Sequence, residues 1–281
     1  EFTTSFLVIG IIAVLPELSI GINSALRGES SFGLGIVFGS NIADLTLIIG
    51  FTALFANSLR LHNSTIKEIK TMLATTTLPV VMLLDGEISR TDGALLLAAF
   101  IIYIYIVIRS HRHPQLQNHK NHAPNLIKEL ILTSAMFSVL FISGHIITEQ
   151  AMKISELILV PIFFIGTLLA IGTCLPELSF AITATKRKHG ELGFGDILGN
   201  VFADCMATIG IIAIISPIKP EFPQLAIFSG ALMLLALLAL VALFFIKKQI
   251  TKKEGAALII LYIIFIMIQF LFENTAAKTV S

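Results

Sequence analysis

The stretch IGTCLPELSF, residues 171–180, places a proline and a carboxylate side by side within an apolar run. Pro176 lacks a backbone N–H and breaks the helical hydrogen-bond ladder, and a carboxylate such as Glu177 is costly in hydrocarbon. Residues 11–20, IIAVLPELSI, repeat both features with Pro16 and Glu17. Two such costly features, one in each half of the chain, indicate a functional site to which both halves contribute.

The composition is that of a membrane protein. Of the 281 residues, 56% are hydrophobic and 13% are charged, with a mean hydropathy of +0.91, whereas soluble domains carry about 25% charged residues. Apolar stretches such as 225–246 are long enough to cross a bilayer as helices. We therefore predict an all-α polytopic membrane protein. The net charge of +1 does not indicate a nucleic-acid partner, and two cysteines in apolar segments predict no disulfide framework.

Apolar runs between charged, Pro or Gly breaks predict about nine transmembrane helices. They cover residues 2–26, 33–57, 68–85, 93–108, 127–147, 156–185, 192–216, 224–246 and 255–272. The polar stretch 109–125 predicts a solvated linker. The predicted organisation is a first half at 1–109, with cation-binding helices within 2–57, a linker at 110–126, and a second half at 127–281, with cation-binding helices within 156–216.

The positive charges predict the orientation. If the spans alternate in direction, 14 of the 19 Lys and Arg residues fall on one side and five on the other. The side rich in Lys and Arg is expected to be cytoplasmic, which puts the linker inside and the C-terminus outside. We predict a multi-pass protein of the plasma (inner) membrane.

The two unusual stretches belong to an internal repeat. A shift of 160 residues superposes residues 11–50 on 171–210 without a gap, with 15 identities in 40 positions that include the Pro-Glu pairs, four glycines and Asp44 with Asp204. The motif-bearing spans are five apart, so the second copy enters from the opposite face. Inverted repeats of this kind are typical of secondary transporters, whose sites lie near mid-membrane on interrupted helices.

The repeated polar residues suit a hard cation. Pro176 frees the carbonyl of Gly172, and Pro16 frees that of Ile12. Ser40 and Asp44 are four residues apart on one helix face, as are Asn200 and Asp204. Carbonyl and carboxylate oxygens are the ligands that Ca²⁺, Na⁺ and Mg²⁺ prefer. Four clustered carboxylates must be compensated by cations or protons, which is what exchange requires.

These motifs, paired LPEL stretches each followed by glycines and G-S/N-x-x-A-D, resemble the two α-repeats of the sodium/calcium exchanger (cation/calcium antiporter) family. The resemblance implies ten helices arranged as five plus five, so that nine spans would lack the first helix. It also implies exchange of Ca²⁺ for Na⁺ (or H⁺) by alternating access at a mid-membrane carboxylate site. The metal ligands it implies are Glu17, Ser40, Asp44, Thr173, Glu177, Asn200 and Asp204.

One departure from the family pattern concerns the counter-ion. Thr-Ser precedes Leu-Pro-Glu in the family, whereas this chain has Ala13-Val14 in the first copy and Thr173-Cys174 in the second. Val14 offers no side-chain ligand, and Cys174 is a poor ligand for a hard ion. Aspartate in both repeats, where the family often has one Asn, adds a protonatable group. An H⁺-coupled divalent cation exchanger is therefore the alternative.

Three other classes of function are disfavoured or excluded by the sequence. An acidic-ring cation channel is disfavoured because channel rings usually arise from oligomer symmetry, whereas here the symmetry is internal. An intramembrane aspartyl protease is disfavoured because neither Asp44 nor Asp204 has a Gly-x-Gly-Asp context, and a zinc protease is excluded because no His-Glu-x-x-His occurs. We expect a transporter rather than an enzyme. It should have no catalytic residue and no cofactor, cations and the lipid bilayer as partners, and activity as a monomer.

Three further groups have simpler interpretations. Asp196 has no counterpart, because the aligned residue is Ile36, and we expect it to cap a helix start. The linker histidines at 111, 113, 119 and 122 are expected to be solvated rather than to sense metal. Asp85, Glu87 and Asp92 are expected to form a solvated outer rim.

Overall fold

The computed structural model describes residues 13–55, 58–60, 65–110, 126–247 and 249–280. The described chain is almost entirely helical. Its elements are α1 (Leu15–Leu26), α2 (Ser30–Ala43), a π-helical turn (Asp44–Ile48), α3 (Ile49–Phe55), β1 (Ser58–Arg60), α4 (Thr65–Met82), a 3₁₀ turn (Leu83–Asp85), α5 (Arg90–Ser110), α6 (Leu126–Ile158), α7 (Ile162–Thr173), α8 (Leu175–Lys186), α9 (Gly190–Ala203), a second π-helical turn (Asp204–Thr208), α10 (Ile209–Ile215), α11 (Pro223–Lys247), β2 (Gln249–Thr251) and α12 (Lys252–Val280).

The internal repeat is reproduced by the backbone. Adding 160 to the bounds of α1, α2, the first π-helical turn and α3 gives the bounds of α8, α9, the second π-helical turn and α10. The turn between the first two helices of each copy also matches, because Gly28 has φ +80° and Lys188 has φ +66°. The left-handed conformation costs a lysine more than a glycine. Its retention at Lys188 shows that the turn geometry is common to both copies.

The loop pairings show that the two copies are inverted. β1 pairs antiparallel with β2, and Ile88 forms an isolated antiparallel bridge with Ile218. Each pairing joins a loop of the first half to a loop of the second. Because α4 separates β1 from Ile88, and α11 separates Ile218 from β2, the two pairings lie at opposite ends of the helices. This is the alternation of sides that the sequence predicted.

The motif helices form the centre of the protein. Six described stretches are long and apolar enough to cross a membrane: Ser30–Phe55, Ser134–Ile158, Ile162–Lys186, Leu192–Ile215, Pro223–Leu243 and Lys252–Phe272. Over an apolar 18-residue segment of each stretch, 94% of the residues are buried in the first and 89% in the fourth, whereas between 17% and 44% are buried in the other four. The two stretches that carry Asp44 and Asp204 are therefore enclosed by the rest. The fold is that of an all-α polytopic membrane protein.

Glycines allow the close approach of α2 to α7. A Cβ atom at Gly39 would lie 2.7 Å from the Cα of Thr167, and one at Gly166 would lie 2.6 Å from the carbonyl oxygen of Phe32. Small residues let helix backbones meet in a membrane, where dispersion contacts replace the hydrophobic effect. The contact ties the first copy of the repeat to the helix that precedes the break in the second.

The boundary between the fifth and sixth predicted spans was wrong. The sequence placed a loop over 148–155, but α6 continues to Ile158 and the chain turns at Leu159, which has φ 55°. The charged residues of that segment are compatible with a helix, since Lys153 pairs with Glu149 one turn away, at 2.7 Å. Residues 2–12 of the first predicted span and 111–125 of the linker lie outside the described residues.

Candidate functional site

The two Pro-Glu motifs start helices inside the protein. Val14 (φ −73°, ψ −3°) and Cys174 (φ −82°, ψ 0°) precede α1 and α8 in nearly the same conformation, with the prolines in the first turn. Cys174 also ends α7, so the membrane helix of the second copy is interrupted there, as the sequence predicted. Glu17 and Glu177 lie in the first turns of the new helices. The positive end of each helix dipole therefore favours the charge of its own carboxylate.

The two aspartates start the π-helical turns. Asp44 and Asp204 are the first residues of Asp44–Ile48 and Asp204–Thr208. π-Helical turns are rare and frequently mark functional sites, because they displace backbone groups from the regular ladder. Both turns lie in the central, buried stretches. The distortion occurs twice, at equivalent positions, and so belongs to the repeat rather than to one local sequence.

Hydrogen bonds connect the two copies crosswise. The Nδ2 of Asn200 donates to the Oδ2 of Asp44 at 2.8 Å. The Oγ of Ser40 lies 3.2 Å from the Oδ2 of Asp204 and 3.0 Å from the carbonyl oxygen of Val37, so its single proton serves two acceptors. Each aspartate thus accepts a hydrogen bond from a residue of the other copy, the one that lies four positions before that copy's own aspartate.

The four acidic side chains share one buried neighbourhood. Glu17, Asp44 and Asp204 are fully buried and Glu177 is 4% exposed. Glu17, Glu177 and Asp204 all lie near enough to Asp44 for their charges to act on it. Glu17 and Glu177 act likewise on Asp204, and Glu17 acts on Glu177. Every pair of the four is therefore within electrostatic reach, at the place where the two inverted copies meet.

Many oxygens in this neighbourhood have no hydrogen-bond donor. Buried polar atoms are normally paired, and an unpaired one costs free energy. Six buried oxygens of the predicted ligands accept no hydrogen bond: Glu17 Oε1 and Oε2, Asp44 Oδ1, Glu177 Oε2, Asn200 Oδ1 and Asp204 Oδ1. Ca²⁺ takes six to eight oxygen ligands. These six oxygens therefore have the chemistry, and about the number, that a hard divalent cation needs as ligands.

The side chains do not form a closed ligand shell. Within the described residues, no group of three or more His, Cys, Asp or Glu side chains stands in the geometry of a bound metal ion. Thr173, also predicted as a ligand, lies beside Glu17, but its hydroxyl donates to the carbonyl of Ala170 at 3.0 Å. Cys174 donates weakly to the carbonyl of Ser40, at 3.6 Å between sulfur and oxygen.

Two buried polar residues near the site were not predicted to belong to it. The prediction that Asp196 caps a helix start was wrong, because α9 begins at Gly190 and Asp196 lies in its middle, 3% exposed. The hydroxyl of Tyr262, on α12, is buried without a partner and is within electrostatic reach of Asp44. For Asp196, the one sequence signal of a role near the site was that the first copy has no equivalent carboxylate. For Tyr262 the sequence gave no such signal.

The outer acidic residues have surface roles. Asp85 is exposed, and Glu87 pairs with Lys219 at 2.5 Å between Oε2 and Nζ. Asp92 accepts from the backbone N–H of Ser89 at 2.9 Å, next to the start of α5. These contacts fit the expected rim. The linker histidines at 111, 113, 119 and 122 lie outside the described residues.

Known proteins of similar sequence match most of the chain. The family model described as "Sodium/calcium exchanger protein" matches residues 1–109 and 128–271. An uncharacterized membrane protein, MJ0091, from Methanocaldococcus jannaschii is 26% identical over 270 residues, which cover 94% of this chain and 87% of that protein. The match to CaxA from Alkalimonas amylolytica is 27% identical over 212 residues, 72% of this chain and 66% of the relative.

A solved structure shares the fold. The sodium–calcium exchanger NCX_Mj, soaked with 10 mM Na⁺ and zero Ca²⁺, superposes with a TM-score of 0.71 at 25% sequence identity, covering 95% of this chain and 86% of that one. The family match spans both copies of the repeat and most of the chain. The chain belongs to the sodium/calcium exchanger protein family.

Proposed function

We propose that the protein is a secondary active antiporter that exchanges Ca²⁺ for Na⁺ or H⁺ across a membrane. The observation that carries the proposal is the set of six buried oxygens without donors, contributed by both inverted copies, whose side chains are joined by hydrogen bonds and lie within electrostatic reach of each other. Family membership supports the same function. Glu17, Asp44, Glu177, Asn200 and Asp204 are the proposed ligands of the transported cation, with Ser40 and Thr173 at its edge.

The cross-repeat hydrogen bonds supply a route to alternating access. A cation that draws Asp44 and Asp204 together competes with the donors Asn200 and Ser40 for their oxygens. Asn200 can turn its own Oδ1 toward the ion, because an amide presents a donor and an acceptor. Loading the site thus changes the bonds that join the two copies, so that cation binding and the relative position of the copies are linked.

Exchange rather than leakage follows from the charge balance. Four carboxylates without cations or protons would repel each other strongly in a buried site. One compensating set therefore leaves as another arrives. Because both copies lie in one chain, the functional unit is a monomer. We also propose that the protein lies in the plasma membrane with its C-terminus outside, a proposal supported by the excess of Lys and Arg on one side.

Na⁺ is the first candidate for the counter-ion, by family membership, and H⁺ is the second. What favours H⁺ is the apolar side chain of Val14, buried at the break of the first copy where the family has a hydroxyl. In the second copy, the hydroxyl of Thr173 and the thiol of Cys174 are both directed to backbone carbonyls. Two aspartates that can carry protons complete this argument.

The test is Ca²⁺ flux in proteoliposomes. Vesicles loaded with ⁴⁵Ca²⁺ receive a Na⁺ gradient, a pH gradient, or neither, with the membrane potential clamped. An antiporter moves Ca²⁺ uphill only when an opposing gradient is present. Rapid flux down the Ca²⁺ gradient that is indifferent to Na⁺ and H⁺ would identify a channel instead and overturn the proposal.

A further inference from the structure

The second copy of the repeat carries a polar stripe that the first copy lacks. Asp196, Asn200 and Asp204 are spaced four residues apart, so they lie on one face of α9 and its π-helical turn. The equivalent residues in the first copy are Ile36, Ser40 and Asp44. The two stripes match at the site and differ one turn away from it.

The carboxylate of Asp196 is buried and incompletely paired. Its side chain is 3% exposed, and its Oδ1 accepts no hydrogen bond. None of the ion pairs among the residues whose side chains the structure describes involves Asp196. A buried carboxylate in this condition is costly and needs an explanation.

The packing of α8 on α9 brings Asp196 close to Glu177. The two helices are joined by a short turn and run antiparallel, and a Cβ at Gly193 would lie 2.9 Å from the Cα of Ala181. Glu177 lies about one helical turn from this contact on α8, and Asp196 lies about one turn from it on α9, both in the direction of the site. This packing puts Asp196 within electrostatic reach of Glu177.

The depth of Asp196 is intermediate. It is six residues from the start of α9, a rise of about 9 Å at 1.5 Å per residue, and eight residues from Asp204. The start of α9 adjoins the turn at Arg187–His189, on the face rich in Lys and Arg. Asp196 therefore lies between that face and the carboxylates of the proposed transport site.

We propose that Asp196, with Glu177, holds the transported divalent cation at a staging position between the transport site and the membrane face that carries Lys186–Lys188. This inference rests on the proposed function and adds to it a difference between the two membrane faces. The oxygen of Asp196 without a donor is one ligand, and Glu177 is the group that passes the ion between the two positions. Because Ile36 occupies the equivalent place in the first copy, the other face has no such position.

The test uses Asp196→Asn and measures each face separately. Everted and right-side-out membrane vesicles expose opposite faces, and Ca²⁺ is varied only outside the vesicle during counter-ion-driven uptake. The half-saturating Ca²⁺ concentration should rise about tenfold at the Lys186–Lys188 face, because one of two carboxylates is lost. At the other face it should change by less than about twofold. Asp85→Asn, which removes an exposed carboxylate outside the site, should leave both values unchanged.

A second variant guards against misfolding. Asp196→Ile gives the second copy the residue that the first copy already holds at this buried position, and it should show the same one-sided effect. An equal change at both faces, or no change at either, in folded protein would overturn the staging position alone. If neither a Na⁺ gradient nor a pH gradient drives Ca²⁺ exchange by the wild-type protein, the proposed function is wrong. This inference then fails with it.

Discussion

The two copies of the repeat share a backbone and differ in side chains. Their breaks, at Val14 and Cys174, have dihedral angles within 10° of each other, and their π-helical turns are both five residues long. Yet the equivalent residues Ser40 and Asn200 differ: a serine hydroxyl donates to Asp204, whereas an asparagine amide donates to Asp44. The two copies thus repeat one backbone in inverted orientation, and their side chains differ where the copies meet.

The surroundings of the two copies differ as well. α1 is covered by α6, where Ser19 donates to the carbonyl of Leu140 at 2.8 Å and Gly144 packs against the same serine. Much of α8 is exposed within the described chain, with Leu175 at 56% and Phe180 at 37%. The copy with the covered helix has its glutamate fully buried. The other copy, whose glutamate is slightly exposed, also has the additional carboxylate Asp196.

The largest expected effect tests whether the two glutamates are equivalent. Glu17→Gln and Glu177→Gln keep the shape and one oxygen ligand but remove a charge that balances the divalent ion. Each should lower Ca²⁺ exchange by about 100-fold, because a charge lost beside the ion amounts to about 2.7 kcal/mol. The measurement is the initial rate of counter-ion-driven ⁴⁵Ca²⁺ uptake in proteoliposomes.

The control for this pair is Glu156→Gln, which makes the same chemical change at an exposed position on α6. It should transport at the wild-type rate. Wild-type exchange by either site variant, in protein with normal thermal stability, would show that the residue has a structural role and that the copies are not equivalent.

The sequence predicted the repeat because its signals are covalent and local. Pro16 and Pro176 cannot donate a hydrogen bond wherever they lie, so the helix break at Cys174 follows from the residue type. The side on which each loop lies stays a prediction from charge. Asp196 was misplaced because the sequence did not show that α9 begins at Gly190.

The crosswise bonding could not be predicted from one-dimensional spacing. The interval from Ser40 to Asp44 indicates neighbours on one helix, but the hydrogen bond of Ser40 goes to Asp204 of the other copy. That partner depends on the distance between α2 and α9, which the packing of the whole protein sets. The buried hydroxyl of Tyr262 comes from α12, far away in the sequence, for the same reason.

The second prediction compares the two cross-repeat bonds. Asn200→Ala removes the 2.8 Å bond to Asp44 and also a proposed ligand oxygen. Ser40→Ala removes a 3.2 Å bond whose proton is shared with Val37. Because Asn200→Ala removes a ligand oxygen, the half-saturating Ca²⁺ concentration should rise about tenfold. Ser40→Ala mainly frees an oxygen of Asp204 from a donor that competes with the ion, a hydrogen bond of about 1 kcal/mol, so its half-saturating Ca²⁺ concentration should change by less than about threefold.

Ser229→Ala is the control for this comparison, because Ser229 is buried and donates only to the carbonyl of Leu225 in its own helix. Its half-saturating Ca²⁺ concentration should stay at the wild-type value. An effect of Ser40→Ala as large as that of Asn200→Ala would contradict the difference drawn between the two copies.

The third prediction concerns the contact that ties the copies together. Gly39→Ala places a methyl group 2.7 Å from the Cα of Thr167, which is backbone and cannot move aside alone. Overpacking of this kind costs about 1–3 kcal/mol, so the unfolding temperature in detergent should fall by several degrees. Gly172→Ala is the matched change, because nothing lies within 4 Å of the added methyl group. A stable Gly39→Ala protein would show that α2 and α7 can separate at no cost.

The smallest expected effect concerns the residues before each Pro-Glu pair, which we propose to influence the preference between Na⁺ and H⁺. Val14→Ser returns a hydroxyl to the break of the first copy, at a buried position whose counterpart, Cys174, already reaches the carbonyl of Ser40. One added oxygen ligand favours Na⁺ without changing the number of carboxylates that can carry protons. Ca²⁺ exchange driven by a Na⁺ gradient should therefore increase about threefold, a gain of less than the roughly 1.4 kcal/mol that a tenfold change requires, while exchange driven by a pH gradient stays constant. Val14→Ala serves as the control, because it changes volume without adding an oxygen. If Val14→Ser and Val14→Ala respond alike to both gradients, the side chain at this position does not select the counter-ion, and the asymmetry between Val14 and Cys174 is a matter of packing.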